Sequence, residues 1–562
     1  MITPEFLAET LRQNAVSVSS VPIDDHSELF IIPGGKAQFN RLCTLFSEQA
    51  DETVTHVIGE SEFCFLHIGG AALNLQYVPG TETTRLVYDK NDAYFTARKD
   101  TAAPTAAVKP LLSQLHLACI GADCGMSYVL RLCDGRFVLI DGGYNDYEES
   151  ERLYDLLCAQ NEVYEKPVIA AWFFSHPHDD HIGCFTELLE KHSSDIVLQR
   201  VIRNFAPPCY VPRCDCDHAA FDALLRTLAD TTDCAVVTVR TGQRYEFADL
   251  TVDVLYTADD VYPNELRNLN DTSVILRCDF SERRILFLGD AMPLSSDVTA
   301  KRFGAGELSC ELLQVGHHGY GGGSDAFNRA CDPEALLWSC PAFWYPSVRL
   351  WKENDYLRNS EHIKNIYLSG FGTITLDMTA PLPTPATPSY GKGDTVYAED
   401  YQSVQRIVDL GYESITGGQT GLVSAVMAFE TDAFGRHLTL GADGTAVVGL
   451  LNQHRTAPLD VFTVRLRVRA VCEPCRFGIM VGNDMPNEWN SGKIQWFNTA
   501  AAALHDLTLC LDYREKTLRF AAEGEEPITI AWEDPARGGI YLALENSKLA
   551  VYECSVTADK RL

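Results

Sequence analysis

Ser175-His176-Pro177-His178-Asp179-Asp180-His181 follows directly on the apolar run Val168–Phe174 and precedes a stretch in which Ile182, Phe185, Leu188 and Leu189 recur at helical spacing. A continuous apolar run of this length reads as a buried strand, and the following periodicity reads as a helix over Ile182–Glu190, so the polar cluster falls on a strand-to-helix loop. Such loops are where sheets present catalytic groups. His176 and His178 stand two apart and can converge on one ion from extended backbone. Asp180 and His181 turn the other way as the helix begins and can hold a second ion. Imidazole and carboxylate donors in this mixture suit zinc, with manganese or iron as alternatives. A lone histidine here would be an ordinary surface residue; three with an aspartate behind a buried strand form a ligand pattern.

Two distant pieces extend the pattern. Arg284–Leu288 reads as a strand ending in Gly289-Asp290, where a carboxylate can bridge two cations, and Leu312–Val315 leads into Gly316-His317-His318-Gly319. Upstream, strand patterns at Ser127–Leu132 and Arg136–Ile140 run into Asp141-Gly142-Gly143, which is turn chemistry.

In this order of motifs the block from Leu115 to Leu376 resembles the metallo-β-lactamase superfamily. The resemblance implies an αββα sandwich with the metal site at one edge of two facing sheets. It implies that His176 and His178 bind one metal, Asp180 and His181 the other, that Asp290 bridges, and that the His317–His318 loop completes the set. One departure stands out: no single metal-binding histidine lies between His181 and Asp290, since His192 ends a helix and His218 lies in a cysteine-rich loop. Asn270-Asp271-Thr272-Ser273 stands there instead, before the strand Val274–Cys278. That looks like the branch of ComEC-type competence proteins and phosphorylcholine esterases, in which the paired-histidine loop can supply ligands to both metals, making both His317 and His318 ligands.

A dinuclear site lowers the pKa of bound water, so the expected nucleophile is a hydroxide held between two zinc ions. The residual positive charge favours an anionic small-molecule substrate, first a phosphodiester or phosphate-linked compound. Asp180, His318 and Asn270 are the candidate catalytic side chains. Ser273 is a further candidate for substrate contact, although Asn and Ser before a strand commonly satisfy turn backbone. Tyr320 and Gly321 to Gly323 read either as a pocket wall or as a surface loop. The same metals over a lactone, thioester or amide form the alternative enzyme, and a non-catalytic carbohydrate- or protein-binding scaffold is the alternative outside enzymology.

The chain of 562 residues is too long for one core. Linker-like stretches at Thr96–Pro110 and Thr379–Gly393 divide it into an N-terminal α+β accessory domain (1–108), the central metallo-domain (109–380), a Pro/Gly-rich linker (381–394) and a C-terminal β-sandwich (395–562). In the first, a short amphipathic helix with Phe6, Leu7 and Leu11 on one side precedes strands such as Phe63–His67 and Thr84–Tyr88. In the last, Phe462, Val464, Leu466 and Val468 alternate with polar residues, the period of a half-buried strand, and further strands are expected at Gln495–Phe497, Leu507–Asp512, Thr517–Ala521, Ile540–Leu544 and Ala550–Val556. This block resembles a concanavalin-type jelly roll, which makes a glycan its candidate partner. Cys209, Cys214, Cys216 and His218 have only loosely ligand-like spacing, and Cys472-Glu473-Pro474-Cys475 reads as a turn between strands rather than a redox pair.

The net charge of −31 opposes binding to duplex nucleic acid. Met1–Leu11 lacks the form of a signal peptide, and no apolar run of about 18 residues appears, so neither export nor a membrane span is expected. An odd number of cysteines, 19, scattered through apolar segments, fits a reducing, cytoplasmic setting.

Overall fold

In the computed structural model the run Val168–Phe174 is a strand with every residue buried. It lies parallel to Phe137–Ile140 on one side and to Val197–Leu198 and Arg200–Arg203 on the other. The structure describes residues 3–558 apart from 15–16, 82, 101–106, 116–118, 121–122, 145–147, 208–209, 211–222, 225, 228–233, 265, 267, 416–420, 457, 482–493, 500–502, 524–525 and 532–538. Cys209, Cys214, Cys216 and His218 thus lie outside the described residues, as does part of the Thr96–Pro110 stretch.

The apolar composition of Val168–Phe174 follows from its two covered faces. Trp172 and Phe174 join the cluster of Ile182, Phe185 and Leu188 beneath the helix that follows, whereas Phe173 enters a core shared with the opposite sheet, among Tyr245, Leu276 and Phe287. Each such aromatic or aliphatic side chain contributes about 1.5–3 kcal/mol by burial. The first sheet continues through Tyr128–Arg131 and Leu111–Gln114 to Ile374–Asp377. The facing sheet runs Arg244–Phe247, Leu250–Tyr256, Ile275–Phe280, Arg283–Phe287, Leu312–Gln314, Ala335–Trp338 and Asn365–Leu368. Helices on the outside complete an αββα sandwich.

The helix that follows His176–His178 spans Asp179–His192, beginning three residues earlier than its apolar periodicity suggests. His178 is its N-cap, and Asp179 and Asp180 occupy the first turn, where free backbone N–H groups favour carboxylates. Asp180 and His181 therefore project from a helix and not from a loop. An apolar stripe marks only the turns that pack, so a polar first turn escapes it.

The N-terminal segment is a six-stranded antiparallel sheet. One face packs on the helices Pro4–Gln13 and Lys36–Ser47, and the other sends Phe63, Phe65 and Val87 into the central core. Leu7 and Leu11 are buried as expected, but Phe6 is 48% exposed, because a residue one step along the helix is turned about 100° away from its neighbour. Residues 381–394 contain no regular strand or helix.

From Thr395 onward two antiparallel sheets pack as a β-sandwich around Leu438, Leu440, Val464, Leu466, Leu542 and Val551. Cys472 to Pro474 form the bend between Val461–Ala470 and Cys475–Val481. One sandwich sheet extends beyond the C-terminal block: Cys119–Ile120 pairs in parallel with Glu413–Ile415. Among the described residues no helix is long and apolar enough to cross a membrane.

Candidate metal centre

Five strands of the two sheets end at one edge and deliver the site. Phe137–Ile140 leads to Asp141, Val168–Phe174 to His176, Arg283–Phe287 to Asp290, Leu312–Gln314 to the His317–His318 loop, and Ala335–Trp338 to Ser339. His176, His181, His318, Asp180 and Asp290 are all buried there.

Their donor atoms fall into two groups, Asp180, His181, Asp290 and His318, and His176, His178 and Asp290, each with its atoms within 4.8 Å of one another. Asp290 belongs to both. His181 Nε2 lies 3.2 Å from Asp290 Oδ1 and 3.4 Å from Asp180 Oδ2. His318 Nε2 is 3.0 Å from Asp180 Oδ2 and 3.6 Å from Asp290 Oδ2, while His176 Nε2 is 2.8 Å from His178 Nδ1 and 4.0 Å from Asp290 Oδ2. His317 belongs to neither group. Its Nε2 is 3.9 Å from Asp290 Oδ2 and 3.1 Å from Asn270 Nδ2, and its side chain is the most exposed of the histidines flanking Asp290.

These residues fit a pair of metal ions. His181 Nε2 and Asp290 Oδ1 are buried 3.2 Å apart with no well-directed hydrogen bond to any group, a state that folded proteins rarely leave uncompensated. Burial pushes His176 well below the usual imidazole range, and neighbouring His181 and His178 push it further. Burial also opposes charge on His181 and His318, but Asp180 and Asp290, with Asp141 for His181, hold His181 well above its ordinary value and His318 at about 10. The same imidazoles hold Asp180 and Asp290 below the usual carboxylate range against the effect of burial.

The histidine loop is backbone-strained. His317 and His318 have φ of 48° and 52°, left-handed conformations that cost non-glycine residues about 1–3 kcal/mol each. Trp338 Nε1 donates to His318 O (2.8 Å), and His317 N–H donates to Gly289 O (3.1 Å). Gly321 to Gly323 are buried and are no surface loop, and the Tyr320 ring lies 6.0 Å from that of His317.

Of the Asn270–Ser273 stretch, the turn-capping role falls to Asn268, whose side chain accepts from Asn270 N–H. Asn270 is left to reach His317, and Ser273 Oγ accepts from Asp290 N–H (3.1 Å).

Sequence reasoning read Asp141 as a turn and missed its contacts. Asp141 Oδ2 accepts from His181 Nδ1 (2.8 Å) and Ser175 Oγ (2.8 Å), and its Oδ1 accepts from Ser175 N–H. Ser339 was likewise missed, although its carbonyl accepts from His318 Nδ1 (2.8 Å). An aspartate immediately after a buried strand was the available signal for the first; a main-chain carbonyl leaves none for the second.

Among solved structures the chain is similar to the metallo-beta-lactamase fold protein YhfI from Bacillus subtilis, at 14% identity over 41% of this chain and 86% of that one, with a TM-score of 0.26. CmlA, a diiron beta-hydroxylase from Streptomyces venezuelae, aligns at 15% identity over 41% of this chain and 44% of its own, with a TM-score of 0.26. A Bacillus subtilis protein of unknown function with a galectin-like fold aligns at 10% identity over 31% of this chain and all (100%) of its own, with a TM-score of 0.21. No curated protein matches the chain. Residues 121–213, which hold Asp141 and the whole His176–His181 motif, match the metallo-beta-lactamase superfamily, and the chain carries a domain of that superfamily.

Proposed function

We propose that this protein is a dinuclear metal-dependent hydrolase, with a phosphodiester or another phosphate-linked small molecule as its substrate. The observation that carries the reading is the shared carboxylate: Asp290 stands in both donor groups, as a residue bridging two ions must. His176 and His178 would serve one ion and Asp180, His181 and His318 the other, with His317 at the open side of the pair. Bound there, two divalent ions would supply Lewis acidity and lower the pKa of water, zinc being the first choice for this donor set.

The chain's own groups prepare that chemistry. Asp141 accepts a hydrogen bond from His181 Nδ1–H, and the Ser339 carbonyl accepts one from His318 Nδ1–H, so both rings turn Nε2 inward. Asp180 Oδ2 faces His318 and His181 at the centre. Asn270 holds His317 where substrate would enter. Two dications against Asp180 and Asp290 leave excess positive charge in a chain of net charge −31, which selects an anionic group at this spot.

The Asn270–Ser273 stretch supports a place in the branch of ComEC-type competence proteins and phosphorylcholine esterases, with His317 standing beside the two donor groups and not inside either. In the hairpin turn between Val426–Asp432 and Gly435–Gly441 of the C-terminal sandwich, Phe434 is 54% exposed with the Arg469 guanidinium 5.7 Å from its ring centre, which supports a glycan partner there. The scattered cysteines support a reducing, cytoplasmic setting.

The test is hydrolysis of bis-p-nitrophenyl phosphate by chelator-free protein with added zinc or manganese, native against Asp290→Ala. The expected result is turnover that the variant loses by at least about 100-fold, together with loss of bound metal. A native protein holding two metals yet inert toward the diester moves the substrate to a lactone, thioester or amide. A native protein that binds no metal rejects the hydrolase reading.

A further inference from the structure

We infer that Glu413, carried by the C-terminal β-sandwich, is a positioning residue of the metal centre, acting on His318 through the 339–344 segment. The inference rests on His318 serving as a metal ligand, as proposed above.

Glu413 is 4% exposed, and its Oε1 accepts from Ala342 N–H (3.1 Å), with Phe343 N–H also bonded to the carboxyl. Pro341 O accepts from Trp344 and Tyr345 N–H, so Ala342 and Phe343 stand in the opening turn of a short helical stretch, where backbone donors have no partner of their own. A carboxyl from the sandwich supplies that partner.

The far side of the segment is pinned as well. Cys340 N–H donates to Ser369 Oγ (3.2 Å) and Cys340 O accepts from Gly370 N–H (3.2 Å). A Cβ on Gly370 would lie 2.4 Å from Ala342 N, so the two loops touch at the backbone. Immediately before these anchors, and one residue from Cys340, sits Ser339, whose carbonyl fixes the His318 ring. At the other end Trp344 packs 6.0 Å from Tyr320, the neighbour of His317.

The same sandwich strand reaches the centre by a second route. Glu413–Ile415 pairs with Cys119–Ile120, and a few residues on Met126 N–H donates to Asp180 O (2.9 Å). Asp180 and His318 bond one another at 3.0 Å. One strand of the C-terminal block thus bonds to both of the chain segments whose backbone contacts that pair. Loss of an orienting group behind a metal ligand typically weakens metal affinity by about 10–100-fold.

The test uses the full chain as native protein, Glu413→Ala, Glu413→Gln and Glu413→Asp, each titrated with cobalt(II) and read by visible absorption, chelator competition and thermal melting. In Glu413→Ala the d–d bands are expected to shift and cobalt affinity to fall by about 10–100-fold. Amide exchange across 339–345 should rise in the metal-free protein. Glu413→Gln, which keeps the acceptor oxygen, restores the native spectrum. If Glu413→Ala does not fold, Glu413→Asp, whose acceptor is one methylene short, carries the same expectation. A folded Glu413→Ala, or failing that Glu413→Asp, with native spectrum and affinity overturns the role of Glu413 while leaving the metal centre intact. Failure of Glu413→Gln to restore the spectrum also overturns it. Absence of cobalt uptake by the native chain removes the metal-centre reading, and this inference with it.

Discussion

His181, His318 and His176 are each held by Nδ1, to Asp141 Oδ2, Ser339 O and Ser175 Oγ respectively, leaving Nε2 for the centre. A fixed tautomer and a fixed ring plane are what a metal site requires of its imidazoles. The atoms that provide them are a carboxylate, a carbonyl and a hydroxyl, of which the main-chain carbonyl leaves no mark on the sequence. The buried Glu413 gives a pH prediction at this scale. In the unfolded chain it ionises near its ordinary 4.5, whereas burial pushes it up to about 8 in the fold, against the pull of the Ala342 and Phe343 N–H groups. Its folded value is raised, so its contribution to stability is fully present below the ordinary value and is lost as pH rises through about 8. Glu413→Gln has no proton to lose there. Melting curves from about pH 5 to about pH 9 should show the native chain losing stability relative to Glu413→Gln, and a melting-temperature gap that stays constant would refute the assignment.

At the scale of elements, the strand ends matter more than the strands. Gly289, between Arg283–Phe287 and Asp290, has φ +53°, and a Cβ there would stand 2.4 Å from Ser175 Cβ, an atom fixed to its own backbone. The loop bearing the shared carboxylate and the loop bearing His176 touch at this point. Gly289→Ala combines left-handed strain with overpacking and should cost about 2–4 kcal/mol in denaturant unfolding. It should also lower metal content, because Asp290 is the next residue. Native-like stability and metal content in this variant would show that the two loops are free to separate.

The periodic elements were legible in advance, Val168–Phe174 by its continuous apolarity and Val461–Ala470 by alternation, and the clustered donors of His176–His181 by their density. What escaped was non-local. Nothing in Cys119–Ile120 announces a parallel partner at Glu413–Ile415, and a two-residue pairing has too short a pattern to read. The first turn of Asp179–His192 escaped for the opposite reason, since its polar residues belong to the site and break the stripe that marks the helix. His317 and His318 were legible as a pair, but their separation into one residue inside a donor group and one beside it depends on left-handed backbone that no spacing encodes.

For the whole molecule, the N-terminal sheet looked like an accessory with no chemistry of its own, yet it is tied to the central unit through buried charge. Arg240 donates through Nη1 to both oxygens of Asp259 (2.8 Å each) and through Nη2 to Asp89 Oδ2 (2.8 Å) and Ser27 Oγ (2.9 Å), so one guanidinium joins the N-terminal sheet to the central unit. Asp259 also accepts from Asn204 and Thr257, and Asp260 beside it pairs with Arg302. Replacing Arg240 with methionine leaves two buried carboxylates facing each other and should destabilise the protein by about 3–5 kcal/mol. Most of that loss comes from the stranded charges rather than from the bonds removed, so adding Asp89→Asn and Asp259→Asn should recover part of it. Denaturant unfolding of the single and triple variants decides the matter: a triple variant less stable than Arg240→Met would mean that the hydrogen bonds, and not the charge balance, hold the N-terminal sheet against the metal domain.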